Sequence, residues 1–150
     1  MVKEFPNKWV KKAVYDAINN IVVFDEIASA NVTIPCYDTR VPTNNTSNFY
    51  VILSTQTNQD DPYTFCDRIW RSTLLLDIVT IYNGAGNYGS NLMVNNITDA
   101  VRNAIINLSL SNDTALKLHN KKIESINNLD NITDTQNVFR NLMRLDLFIN

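Results

Sequence analysis

The hydrophobic pattern of the chain is clearest from Arg71 to Leu108, which predicts a strand, a loop and a helix in succession. The strand begins near Thr64 and runs to Tyr82, with apolar residues at most positions of both faces. The loop, Asn83 to Asn91, holds all three glycines of the protein. The helix follows a cap at Ser90 or Asn91 and carries apolar residues at helical spacing. This stretch therefore predicts the centre of a sheet and a helix that packs on it.

The segments before this centre predict one more helix and an interrupted strand. Apolar residues recur at helical spacing from Lys8 to about Ile21, with Asn7 as the expected N-cap. The stretch from Val22 to Ala30 reads as an irregular or short helical link. The β-prone run that follows is broken by Pro35 and closed by Pro42, which restricts it to a sheet edge.

Two hairpins complete the predicted sheet. Phe49 to Thr57 alternates as a strand, and the turn-rich link from Asn58 to Phe65, marked by Asp60-Asp61-Pro62, is expected to reverse the chain into the long central strand. The tip of this antiparallel hairpin is expected to project past the sheet. The second pair of strands is predicted at Leu116 to Leu129 and at Val138 to Ile149.

Together these elements predict an α+β fold. It consists of a largely antiparallel sheet of about five strands with two main helices packed on one face, in the order α-β-β-β-α-β-β. The length of 150 residues fits one domain that spans residues 1–150. Asp77 interrupts an apolar face of the long strand, so we expect it to be hydrogen-bonded near the rim of the sheet or exposed to solvent.

Composition and charge argue against several classes of function. The net charge of −2 and the pI of about 5.2 disfavour a nucleic-acid-binding module, which normally carries a basic patch. No run approaches the roughly 20 apolar residues of a membrane span, and the N-terminus lacks the apolar region of a signal peptide, so we expect a protein that is intracellular at synthesis. Cys36 and Cys66 could form one bridge, but two buried free thiols fit a chain without a secretory signal better.

Residue chemistry indicates no catalytic site, and we expect neither an enzyme nor a bound cofactor or metal. His119 is the only histidine and is expected at the surface or the rim of the sheet. The glycine-containing loop lacks the lysine or acidic partner that a phosphate-binding loop needs. One alternative stays open, a small metal-dependent nuclease or hydrolase that uses Asp60, Asp61 or Asp77, although turn chemistry explains the first two better.

Aromatic residues at the predicted hairpin tip indicate an interaction surface instead. Tyr63, Phe65 and Trp70 lie near this tip, and they either fold back on the sheet or contact a partner, since aromatic side chains are enriched at interface hot spots. The glycine-containing loop is a surface segment that is available to order against a neighbouring subunit, which adds Tyr88. These four residues form the predicted interface.

The order of the elements resembles that of a known family. The likeness rests on Pro35-Cys36-Tyr37-Asp38 after the first helix, on the strand Phe49 to Leu53, and on the strand Leu76 to Thr80 before the second helix. From Lys8 to Asn150 the chain resembles the tail terminator or tail completion proteins, which are neck and head–tail connector components of tailed bacteriophages.

The resemblance implies a structural virion protein whose copies form a homo-oligomeric ring. In this family an α+β subunit assembles at the head–tail junction or the tail end, contacts portal or adaptor and tail proteins, and lets DNA pass through its lumen without sequence-specific binding. The implied location is the neck or tail of the virion, after synthesis in the host bacterial cytoplasm, with no membrane partner. A ring needs two different lateral surfaces, which the projecting hairpin and the sheet edges would supply. A bacterial adaptor with a ferredoxin-like sheet stays open as a further alternative.

Overall fold

The computed structural model describes residues 5–62, 68–83 and 89–150, which form two helices and seven strands. In chain order the elements are α1 (Asn7–Ile18), β1 (Ile21–Asp25), β2 (Ala30–Ile34), β3 (Cys36–Asp38), β4 (Phe49–Pro62), β5 (Arg68–Asn83), α2 (Asn91–Ile106), β6 (Leu118–Ile132) and β7 (Gln136–Ile149). Five strands form one sheet in the order β3-β4-β5-β7-β6, and β1 and β2 pair separately. Neither helix in these ranges has the length and apolar content needed to cross a membrane.

The five-stranded sheet is antiparallel except at one edge. β5 pairs with β4 on one side and with β7 on the other, and β6 pairs with β7. The short strand β3 lies parallel to β4. The α+β class and the largely antiparallel sheet are therefore confirmed. The predicted order is corrected to α-β-β-β-β-β-α-β-β, because two further strands form a hairpin of their own.

β1 and the turn after it lie where the sequence predicted an irregular or short helical link from Val22 to Ala30, so that prediction is wrong. β2 and β3 occupy the predicted β-prone run on either side of Pro35, and β3 lies at a sheet edge as expected. The helix before β1 ends at Ile18 instead of near Ile21, because Asn20 takes a left-handed backbone with φ of 60° and turns the chain into β1. Pro35 then separates β2 from β3, so the chain passes from the small sheet to the large one across a single residue.

The two helices begin differently. Pro6 stands at the N-cap of α1 without a side-chain capping bond, so the predicted cap, Asn7, is the first residue of the helix instead. Proline is tolerated there because the first N–H groups of a helix have no partner within it. At α2 a predicted cap is confirmed, since Ser90 Oγ accepts a hydrogen bond of 3.3 Å from Leu92 N.

β4 is longer than the sequence predicted, because it continues from Asn58 to Pro62 instead of turning there. β5 pairs with β7 only as far as Trp70, whereas its pairing with β4 continues for two more residue pairs. Pairing with β5 outweighs the turn preference of the Asp-Asp-Pro sequence, and Pro62 stands at the strand end, a position that tolerates its missing N–H. The hairpin thus extends past β7 as predicted.

One face of the five-stranded sheet carries both helices and the core. Alternate strand residues point to this face and are buried together with the inward stripes of the helices; examples are Val51, Leu76, Met143, Val14 of α1 and Ile97 of α2. Burial of such an aliphatic side chain contributes about 1.5–3 kcal/mol. The packing of both helices on one face, as predicted, is therefore the main source of stability.

The opposite face of the sheet, which we call the open face, is covered by neither helix of the described residues and holds two ion pairs. Asp77 accepts hydrogen bonds from Arg140 of 3.2 Å at Nε and 2.5 Å at Nη2. Asp77 is hydrogen-bonded, as the sequence predicted. It is buried in the central strand, however, and lies neither at the rim of the sheet nor in solvent. The pKa of Arg140 is raised above its ordinary value, chiefly by the hydrogen bond to Asp77.

The second ion pair joins Asp146 of β7 to Arg71 of β5. Arg71 Nη2 and Thr73 Oγ1 each donate a hydrogen bond of 2.8 Å to the carboxylate of Asp146, which is fully buried. Burial alone would raise the pKa of Asp146, but the hydrogen bonds from Arg71 and Thr73 and the charge of Arg71 outweigh burial and hold this pKa below its ordinary value. The carboxylate therefore stays ionised inside the sheet.

We predict that Asp146→Asn lowers the free energy of unfolding at neutral pH by about 2 kcal/mol, because it removes charge-assisted hydrogen bonds. Since folding lowers the pKa of Asp146, this stabilisation is complete above roughly pH 4 and is lost as the pH falls toward the folded-state pKa. Urea denaturation of both proteins should show a difference that shrinks on acidification. Thr73→Val, which keeps the ion pair, is the control and should destabilise less. A difference independent of pH would contradict this assignment.

A second prediction concerns Gly89, which precedes the cap of α2. Its φ of 93° is left-handed, and an added Cβ would meet the ring of Tyr82. Gly89→Ala is expected to lower the free energy of unfolding by about 1–2 kcal/mol through the backbone alone, and the contact with Tyr82 adds to this loss. The control is Leu92→Ala, at an exposed position of α2. Equal unfolding midpoints for the two variants would show that the left-handed turn is not needed.

Candidate interaction surfaces

Of the four predicted interface residues, one can be placed. Trp70 lies in β5, paired with Asp60 and Ile149, and its half-buried ring packs against the core. The exposed ring of Phe5 meets it edge-on at 5.5 Å between ring centres. Trp70 is thus part of the subunit core and also reaches the surface beside Phe5. The other three, Tyr63, Phe65 and Tyr88, lie outside the described residues.

The β1–β2 hairpin presents apolar residues that the sequence interpretation did not select. Val23 and Asp25 point inward and are buried, whereas Val22 and Phe24 point outward and are 60% and 51% exposed. Ile27, in the connecting turn, is exposed as well, and its N–H donates a 3.0 Å hydrogen bond to Asp25 Oδ1. We call Val22, Phe24 and Ile27 the hairpin patch. Both faces of β1 carry apolar residues, which is why alternation did not reveal a strand here.

A second group of exposed apolar residues lies on β6, the edge strand of the five-stranded sheet on the side away from β3. Ile126, Leu129 and Ile132 are 43%, 47% and 66% exposed. The hydrophobic pattern predicted a strand here, from Leu116 to Leu129, but none of the three residues was predicted to be an interface residue. The sequence did contain a signal for this surface. Apolar residues recur at every third position of β6, and this spacing places them on both faces of a strand.

The open face of the sheet combines aromatic rings with paired charges. Tyr37 and Tyr50 lie side by side with ring centres 5.9 Å apart. Burial raises the pKa of Tyr50, and the charge of Asp77 raises it further against the opposing effect of Arg140. The arginines of the two ion pairs already have carboxylate partners on this face. Arg144 and Lys122 are exposed on the same face, so the two ion pairs balance only part of its positive charge.

A groove of about 460 Å³ lies between α1 and β3. Lys11 Nζ lies 3.1 Å from Asp38 Oδ1 on its lining, which also includes Lys12, Arg40 and Cys36. The pKa of the Cys36 thiol is raised to about 12, mainly by burial and further by the charge of Asp38. A thiol with this pKa stays protonated at neutral pH and is a poor nucleophile.

The carboxylates proposed for a metal-dependent enzyme are not brought together. Asp60 pairs with Trp70, so it lies seven residues along β5 from Asp77, roughly 23 Å at the usual rise per residue. Asp77 is already bonded to Arg140, and His119 is exposed. Within residues 5–62, 68–83 and 89–150, no three His, Cys, Asp or Glu side chains are grouped so that they could hold a metal ion.

Comparison with known proteins identifies the fold. No protein-family model matches this chain. No curated protein matches it either. Among solved structures, a chain of the "Virion of native gene transfer agent (GTA) particle" matches it with a TM-score of 0.62 and 16% sequence identity, over 95% of this chain and 96% of that chain. The protein therefore shares its fold, over almost its whole length, with a chain of that virion.

Proposed function

We propose that this protein is a structural virion protein of the neck or tail of a phage-like particle. The observation that carries the proposal is the fold match to a chain of the gene transfer agent virion, which leaves almost no part of either chain unmatched. The resemblance in element order to tail terminator and tail completion proteins supports the same class.

Copies of the protein are proposed to form a ring that joins portal or adaptor to the tail. Ring contacts are heterologous, so each subunit must offer two different surfaces. The hairpin patch is one, and the end of the β4–β5 hairpin, where Trp70 and Phe5 reach the surface, is the other. Clustered exposed apolar side chains mark contact sites on proteins, and a ring would bury both groups.

The open face is the surface that we assign to the path of DNA. Each contact between a cation and a phosphate adds salt-dependent affinity, so a wall past which DNA slides should hold few unbalanced cations. Asp77 and Asp146 balance the charges of Arg140 and Arg71 on this face and leave Arg144 and Lys122 as exposed cations. This partial pairing supports passage of DNA with few phosphate contacts and without sequence-specific binding.

The proposal is tested by native mass spectrometry and electron microscopy of the purified protein, and by mass spectrometry of purified particles. We expect a ring of defined subunit number and the presence of the protein in particles. A protein that stays monomeric and is absent from particles would refute the proposal.

Within a ring, Phe24→Ala should weaken assembly and leave the free energy of unfolding nearly unchanged, because this side chain points outward. Phe49→Ala is the matched control: Phe49 packs on the core, so the same change should reduce stability first. Native mass spectrometry gives the assembled fraction, and urea denaturation gives the stability. Full assembly of Phe24→Ala would exclude the hairpin patch as a ring contact.

We also predict that Trp70→Ala and Tyr63→Ala weaken assembly more than subunit folding. Since Trp70 packs partly on the core, some loss of stability is expected for that variant. Assembly should be compared under conditions in which both variants are fully folded. Unchanged ring formation together with wild-type unfolding would remove both residues from the interface.

A further inference from the structure

The outer edge of β6 divides into two halves with different properties. β6 pairs with β7 alone, and no strand of the described residues pairs with its other edge. The register of the first half is interrupted between Leu118 and Asn120 and between Ile123 and Ser125, and this half carries Lys121 and Lys122. Bulges and lysines are devices by which proteins prevent an edge strand from pairing with another chain. The first half is therefore protected.

The second half, Ser125 to Ile132, lacks these devices. Its register with β7 is continuous, and Asp130 is its only charged residue. Its three apolar residues, Ile126, Leu129 and Ile132, are the exposed group on β6 described above. A regular, apolar edge of this kind is a template for strand pairing.

The spacing of these residues is self-complementary. The three apolar residues are symmetric about Leu129, so an antiparallel copy centred on Leu129 places each apolar residue opposite another. Leu129 then faces the partner's Leu129, and Ile126 faces the partner's Ile132. Cross-strand apolar pairs of this kind each contribute roughly 0.2–1 kcal/mol. A shift of one residue in either direction places every one of these apolar residues opposite a polar one.

Charge and side-chain direction agree with the same register. Asp130 faces the partner's Asn128, so the two aspartates are not opposed. Because side chains alternate along a strand, Ile126 and Ile132 point to the face that carries the helices, and Leu129 points to the open face. The contact would therefore be closed by apolar side chains on both faces of the sheet.

The opposite edge of the sheet fits β6 less well. The backbone of β3 is already used within its own chain: Cys36 N–H donates to Asn19 Oδ1 at 3.1 Å, and Asp38 O accepts from Arg40 N at 2.8 Å. Beyond β3, the edge of β4 from Gln56 to Asp60 carries polar and charged residues. A head-to-tail continuation of the sheet would place these against the apolar half of β6.

We propose that β6 pairs with β6 of a second copy of this chain about a two-fold axis at Leu129, which joins two sheets into one of ten strands. The contact is isologous, so it joins copies, or assemblies of copies, in pairs and does not continue into a filament. It rests on the fold and the edge residues and does not depend on the proposed function.

Cysteine cross-linking tests the register. Under mild oxidation Leu129→Cys should form a disulfide-linked dimer, because directly opposed residues lie close enough for a disulfide. Asn127→Cys alone should not, since its copies would be four residues apart along the strand, about 13 Å. Mixed with Asn131→Cys, however, it should give a mixed dimer, because these two positions face each other. Wild-type protein, oxidised in parallel, accounts for the native cysteines.

Analytical ultracentrifugation tests the contact without cross-linking. The wild type should sediment with twice the mass of Leu129→Lys and Ile132→Lys, whether the unit that pairs is a single chain or a ring. Thr43→Lys, in the turn before β4 and outside every proposed contact, should sediment like the wild type. All three positions are exposed, so the variants should unfold like the wild type. A wild type whose mass equals that of Leu129→Lys at all concentrations, or a paired species in which Leu129→Cys does not cross-link while Asn127→Cys alone does, would overturn the proposal.

The results separate this contact from the proposed function. Cross-linking through residue 129 in a protein that is absent from particles would remove the proposed function and leave the contact. A protein that forms a ring in particles but does not cross-link through residue 129 would remove the β6 contact and leave the proposed function.

Discussion

The pairing of β5 with β7 is the constraint on which the rest of the structure depends. It joins the middle of the chain to its last strand. The two ion pairs of the open face link these two strands, and each strand supplies one carboxylate and one arginine. Asp77 lies on β5 and Arg140 on β7, whereas Arg71 lies on β5 and Asp146 on β7. A slip of one residue would exchange the two faces of a strand and would turn buried carboxylates toward the helices. The ion pairs and the apolar core therefore specify the same register from opposite sides of the sheet.

Elements whose pattern reflects one buried face could be predicted from the sequence. β7 and α2 show this, since each has a continuous apolar stripe, and Ser90 marks the start of the helix. The missed features depend on pairing partners that the local hydrophobic pattern does not reveal. Pairing with β5 extends β4 through an Asp-Asp-Pro sequence that favours a turn. Asp77 is tolerated in a central strand because Arg140 donates hydrogen bonds to it and balances its charge. The β1–β2 hairpin was missed because its outward face is apolar as well.

The sequence indicated one of the three surfaces that carry exposed apolar or aromatic residues and missed the other two. The aromatic residues of the β4–β5 hairpin indicated a surface there. Trp70 in this hairpin is half-buried, and its ring packs partly on the core. The hairpin patch and the apolar half of β6 were not recognised, because an exposed apolar residue has the same signature in sequence as a buried one. Only the positions of the strands within the sheets distinguish them. The surfaces proposed for partners lie on the β1–β2 hairpin, on the edge strand β6 and at the end of the β4–β5 hairpin, outside the central part of the large sheet.

The single-residue passage at Pro35 has a mechanical consequence. Pro35 O accepts a 3.0 Å hydrogen bond from Val51 N, and the adjacent Cys36 N–H is held by Asn19, so the junction between the two sheets is fixed on both sides. Proline also restricts its own backbone torsion, which leaves little slack in the connection. A displacement of the β1–β2 hairpin would therefore act directly on β4, because Pro35 links the hairpin to the backbone of that strand without an intervening loop.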